Sequence, residues 1–141
     1  MLKNPDRANV DKNDRQLYDK IVEGKDGFFK GLGRKEQFLS AMAFGFSNNV
    51  RQSLSKKDGF FNTREINSKD MALINAVFLY ENDNLEDLTD GEKVLRVAEE
   101  YAHAGIRILS DQIDSTSFGD FWKIYEKNLH DIYEKCSSDE K

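Results

Sequence analysis

The sequence predicts a mainly α-helical single domain of about five helices, with a small β-hairpin at about residues 50–64. Three observations predict it. Apolar residues recur at helical spacing in five separate stretches. Charged residues make up 33% of the chain and apolar residues 38%, a balance that suits a small helical core with a heavily solvated outside. Ten Phe, five Tyr and one Trp supply large anchors for that core, which argues against a disordered chain. A length of 141 residues fits one domain, burying about two thirds of its unfolded surface.

Residues 1–12 are polar and carry the only proline, Pro5, so they read as a flexible N-terminal arm. The helical domain follows over 13–136, and 137–141 is a polar tail. The first helix spans about Asn13 to Glu23, with Leu17, Tyr18, Ile21 and Val22 on its apolar side and Gly24 ending it. "GKDGFFKGLGRK" is a glycine-rich loop with Phe28 and Phe29 turned inward. The second helix, about Lys35 to Ser47, is apolar on nearly all sides after Gln37 and is therefore central. Gly45 permits close packing or helps end it, and Asn48 or Asn49 supplies a left-handed turn after it. In "NNVRQSLSKKDGFFNTREIN" the Asp58-Gly59 pair between apolar runs predicts a ribbon over about 50–54 and 60–64.

The third helix starts near Asn67, an N-cap with Asp70 in the first turn, and its stripe is Met71, Ile74, Val77 and Phe78. Leu85 and Leu88 fix the acidic linker that follows. Thr89 and Glu92 fit a capping box for the fourth helix, which runs to about Ile113. Its Ala98, Ala102 and Gly105 lie on one side and let a neighbouring helix approach closely. The fifth helix is capped by Ser117 and carries Phe118, Phe121, Trp122, Tyr125, Leu129, Ile132 and Tyr133 at helical spacing.

The inventory for catalysis is thin. Two histidines are few for acid–base or metal chemistry. Glu99 and His103 are four apart, so both face one side of the fourth helix, as a structural pair rather than a metal site. His130 lies opposite the aromatic stripe and is exposed. Cys136 is the single cysteine and has no nearby His or basic cluster to activate it. No catalytic residue, metal or cofactor is predicted. The N-terminus lacks an apolar leader and the longest apolar run, Phe38 to Phe46, is too short for a bilayer, so a cytoplasmic protein without membrane association is expected.

Charge is the more informative feature. The chain carries net −5, yet residues 25–64 hold eight basic and three acidic groups, net +5, and residues 65–141 are net −10. Two readings follow: the blocks neutralise each other within the fold, or the basic block meets a polyanion or acidic partner. For the second reading, the candidate binding residues are Lys30, Arg34, Lys35, Arg51, Lys56, Lys57 and Arg64. Gly31, Gly33, Arg34 and Lys35 lead into a helix N-terminus that can hold an anion, or form a plain connecting loop. Arg51, Lys56, Lys57 and Arg64 interleave with Phe60 and Phe61, a mixture that can grip a phosphate backbone and stack bases, unless the rings simply pack inward.

Three stretches carry a family likeness. They are "FLSAMAFGF", "KDMALINAVFLYENDNLEDL", and "AEEYAHAGIRIL" with Glu99, Glu100, Tyr101, Ala102, Gly105, Ile106 and Leu109. Over residues 35–113 the chain resembles small proteins encoded beside bacterial and archaeal Dnd systems, which install phosphorothioate in DNA. The resemblance implies a DNA-modification or phage-defence context and supplies no catalytic residues. The expectation is a non-enzymatic accessory protein that binds DNA or a Dnd-system protein through the basic 25–64 region. The alternatives are a small nuclease or hydrolase acting on modified DNA, and a homodimer formed through the fourth or fifth helix.

Overall fold

A computed structural model describes residues 5–23, 31–82, 84–115 and 118–138. In chain order they form β1 (Arg7–Asp11), a 3-10 turn, α1 (Arg15–Glu23), α2 (Arg34–Ser47), β2 (Lys57–Asn62), α3 (Ser68–Asn82), α4 (Gly91–Ser115) and α5 (Phe118–Ser138). The mainly α fold with a small antiparallel sheet is therefore present. The readings of Phe28 and Phe29 as buried and of Ser117 as a cap, and the side chains of Phe118, Phe121 and Trp122, lie outside the described residues.

The centre of the fold is the α2–α4 pair. Every residue from Gln37 to Phe46 except Leu39 is buried. Across from it α4 buries Val94, Ala98, Tyr101, Ala102, Gly105, Ile106 and Leu109. Gly45 and Gly105 set the spacing. A Cβ built on Gly105 would overlap the Ala41 carbonyl, and one on Gly45 would overlap that of Tyr101. The two backbones touch where the side chains vanish, as the small face of α4 predicts. That face is filled by α2 of the same chain. In α5, Tyr125 packs on Phe44, with ring centroids 6.0 Å apart, and Ile132 is buried, while Tyr133 is 56% exposed.

Helix ends follow local chemistry. Asn67 and Asp70 cap α3 reciprocally: the Asp70 N–H donates to Asn67 Oδ1 at 2.8 Å, and the Asn67 N–H donates to Asp70 Oδ2 at 3.1 Å. At α4 the cap is Asp90 rather than Thr89. Its Oδ1 accepts from the Lys93 N–H at 3.2 Å, while the Thr89 hydroxyl donates to the Glu86 carbonyl. Asn49 ends α2 at φ 56°, and the Val50 N–H closes onto the Gly45 carbonyl at 2.9 Å. Helix α5 reaches Ser138, two residues into the stretch read as a tail.

The sheet departs most from expectation. One strand lies in the expected ribbon, but its partner is β1, from the segment read as a flexible arm. The register pairs Arg7 with Asn62 and Asp11 with Lys57, with an irregularity between Ala8 and Asn9. Ala8 and Val10 point into the core at 0% and 2% exposure, and this burial holds a polar segment in place. Residues 50–54 instead run along α4, where the Gln52 N–H donates to the Glu100 carbonyl. Asp58-Gly59 sits inside β2 and makes no turn.

Candidate functional site: the basic sheet face

Strand pairing joins cations that are distant in sequence. The Lys12 N–H donates to the Lys56 carbonyl at 2.8 Å, placing Lys12 beside Lys56 and Lys57 at one end of the ribbon. At the other end Arg7 faces Asn62, two residues before Arg64. All five side chains are exposed, and among the described residues none forms an ion pair. The Arg7 side chain lies across Gly59: a Cβ there would stand 2.7 Å from its Nε. Arg7 and Lys12 escaped the sequence reading because their segment was taken for a free arm. The signal was the alternation of Ala8 and Val10 within "RANVD".

The other predicted cations are occupied. Lys35 Nζ lies 2.8 Å from Asp70, whose hydrogen bond raises the lysine pKa. Burial would push the Asp70 carboxyl up, but Lys35 and the Asn67 N–H bring it below its usual value. Arg51 is held by Glu81 and, at 3.1 Å, by Glu100, and its guanidinium lies 5.9 Å over the Tyr101 ring. It neutralises the acidic α3–α4 side. Arg34 covers the Phe60 ring at 5.2 Å and donates to the Phe60 carbonyl at 3.2 Å. Arg15 sits over the same ring and pairs with Asp58 at 2.9 Å. Lys30 lies outside the described residues. Phe60 and Phe61 are each 3% exposed, so they pack inward and are closed to bases. At the glycine turn of residues 31–35 the Glu36 carboxylate stands at the α2 N-terminus, 3.0 Å from where a Gly33 Cβ would be.

Under the ribbon lies a buried polar layer. Asp11 Oδ1 accepts from the Asn13 N–H at 2.9 Å, and Oδ2 accepts from the Ser55 N–H at 2.7 Å, the Ser55 hydroxyl at 2.9 Å and the Lys56 N–H at 3.4 Å. Burial works to raise its pKa, but these donors together drive it far below the usual carboxylate range. Glu99 accepts from the Asn9 N–H at 2.8 Å. Burial pushes its pKa up to about 7, against the opposing pull of Asn9 and Lys57. His103 Nδ1 meets Asp14 Oδ2 at 2.5 Å, and burial raises the Asp14 pKa while His103 and Arg107 lower it. Glu99 and His103 do face one side of α4, but each bonds a different residue of the N-terminal segment. This replaces the expected pairing within the helix. His103 and Asp14 are 5% and 1% exposed, closed to a substrate.

Among the described residues no cluster of three or more His, Cys, Asp or Glu is arranged to hold a metal. A cavity of about 410 Å³ opens between α3 and the start of α4, lined by Ile66, Asn67, Met71, Asn75, Leu88 and Leu95 among others, and none of its lining residues titrates. His130 is exposed, 3.0 Å from Glu134. Comparison with protein-family models, curated proteins and solved structures finds no match for this chain. No helix among the described residues is long and apolar enough to cross a membrane.

Proposed function

We propose that this protein is a non-enzymatic accessory factor that grips the phosphate backbone of DNA through Arg7, Lys12, Lys56, Lys57 and Arg64. The observation that carries this reading is the pairing of β1 with β2, which gathers five exposed, unpaired cations on one ribbon of a protein of net charge −5. Lys35 and Arg51 are instead drawn into ion pairs with Asp70, Glu81 and Glu100, whereas the five ribbon cations are left open. A strand of five residues extends about 17 Å, enough to follow several phosphates. With the aromatic rings buried, contact is to backbone rather than bases, so binding is independent of sequence. The DNA-modification or phage-defence setting comes from the resemblance of residues 35–113 to small proteins encoded beside Dnd systems.

Fluorescence anisotropy on a labelled duplex at low salt tests this. Wild-type protein binds, and log affinity falls with log salt at a slope of about −4.5 for about five phosphate contacts. Lys56→Glu with Lys57→Glu lowers affinity more than tenfold, and Lys12→Glu lowers it as well, although Lys12 lies outside the basic 25–64 block. Absence of wild-type binding at low salt removes the proposal.

A further inference from the structure

The cavity of about 410 Å³ between α3 and the start of α4 has apolar walls, formed by Ile66, Met71, Leu88 and Leu95, and no charged side chain lines it. Met71 and Asn75 are four residues apart on α3, so both face it. Asn75 is out of place in such a wall. Its Oδ1 is shut off from water, and among the described residues no donor reaches it. Asn48 and Asn82 turn their amides back to the carbonyls of Phe44 and Phe78, at 2.7 and 3.2 Å, whereas Asn75 makes no such bond. A buried oxygen without a donor costs stability, and that cost is recovered only when a donor arrives.

We propose that this cavity binds an unpaired nucleobase, held along its Watson–Crick edge by the Asn75 amide. The amide presents an acceptor and a donor side by side, and each of the four bases carries a donor beside an acceptor on that edge. The terminal torsion of Asn is broad, so a small rotation turns Oδ1 to a donor in the cavity. The apolar walls suit the faces of a flat ring, and the Met71 thioether makes a favourable contact with it. The volume lies within the range of about 300–1,000 Å³ typical of ligand pockets. With no charge in its lining, the cavity favours a neutral base over a phosphate or carboxylate.

The source of the base rests on the DNA reading above. Thr63 and Pro5 also line the cavity, and the Thr63 hydroxyl donates to the Pro5 carbonyl at 2.8 Å. Arg64 follows Thr63, and Arg7 stands two residues after Pro5. The cavity therefore begins where the basic ribbon ends, and a strand held on the ribbon brings its bases to it. In a paired duplex the Watson–Crick edge is already occupied, so only an unpaired base can enter. All four bases meet the requirement, so the preference is for an unpaired nucleotide and not for a sequence.

NMR titration of the full chain with adenosine, cytidine, guanosine and thymidine tests the cavity without DNA. In wild type the Met71 methyl and the Asn75 side-chain amide shift at millimolar nucleoside, while the amides of Lys56 and Lys57 do not. Asn75→Leu keeps the volume but weakens nucleoside binding about tenfold or more. It also raises the urea midpoint, because the orphaned oxygen is gone. No shift in wild type with any of the four overturns the site, as does a shift at the ribbon with Met71 unmoved. A lower urea midpoint in Asn75→Leu gives the amide a structural role and overturns it as well. Anisotropy forms the second arm. Wild type binds a duplex with one unpaired nucleotide about tenfold more tightly than the paired duplex at equal salt, and Asn75→Leu loses only that difference. Equal affinity for the two duplexes overturns the entry of a strand's base. Nucleoside binding by a protein that holds no duplex keeps the cavity and removes the ribbon reading; duplex binding without nucleoside shifts does the reverse.

Discussion

Gly105→Ala is expected to lower stability by more than about 3 kcal/mol in urea unfolding, or to prevent folding. In an exposed helix this substitution stabilises by about 1 kcal/mol, because alanine is the better helix former. Here the sign reverses. The new Cβ would fall well inside 3.0 Å of the Ala41 carbonyl and of the Gly45 nitrogen, both backbone atoms of α2. No rotamer relieves a clash between a Cβ and a neighbouring backbone. The helices must separate, and the buried rings of Phe38, Phe44 and Phe46 and the side chain of Met42 lose their packing together. Gly45→Ala meets the Tyr101 carbonyl from the other side and has the same outcome. Gly59→Ala is the control. Its Cβ meets only the Arg7 side chain, whose far end can swing into water, so less than about 1 kcal/mol is lost. A change below about 1 kcal/mol at Gly105 would show that α2 and α4 do not pack at backbone contact.

Which parts of the molecule were legible depends on whether the controlling interaction is local. Helices α1 to α5 were legible because each carries its own periodic apolar side, and Asn67 was legible as a cap because its partner Asp70 is three residues away. The close approach at Gly105 could be read from Ala98 and Ala102 on the same side of α4. The strand β1 was not legible. It is five residues long and largely polar, and it finds its partner about 50 residues on. Asp58-Gly59 drew attention to a turn, whereas Gly59 serves to let the Arg7 side chain cross the ribbon. The site suffered most from this. Lys35 and Arg51 were grouped with Lys56 by distance along the chain, but folding delivers them to Asp70 and to Glu81. Arg7 and Lys12 arrive in their place. The side of α4 bearing Glu99 and His103 was read correctly; their partners were hidden because they belong to the segment taken for an arm.

Asp11→Ala is expected to lower stability by about 3–4 kcal/mol at pH 7, the largest loss from any single polar truncation in this fold. The carboxylate is 1% exposed and organises the joint between the N-terminal strand and the basic bend. Its removal leaves the N–H groups of Asn13, Ser55 and Lys56 and the Ser55 hydroxyl without their acceptor. Hydrogen bonds to a charged group contribute about 1.5–3 kcal/mol each, and the desolvation of the buried carboxylate offsets part of that sum. The pH dependence carries the sign. Its folded pKa is far below the unfolded value of 3.8, so below neutrality the unfolded chain binds the extra proton. The contribution is present in full above the unfolded value and is lost as pH falls through the folded one. The gap between wild type and Asp11→Ala in urea midpoints should therefore be wide at pH 7 and narrow in strong acid. Asp11→Asn keeps an acceptor for Asn13 but loses the charge, and should fall between them. Because the same carboxylate holds Ser55 and Lys56 in place, Asp11→Ala should also weaken DNA binding, although it removes a negative charge. Coulomb attraction alone predicts tighter binding by that variant, so the direction of the change decides whether the ordered ribbon or the net charge governs the interaction.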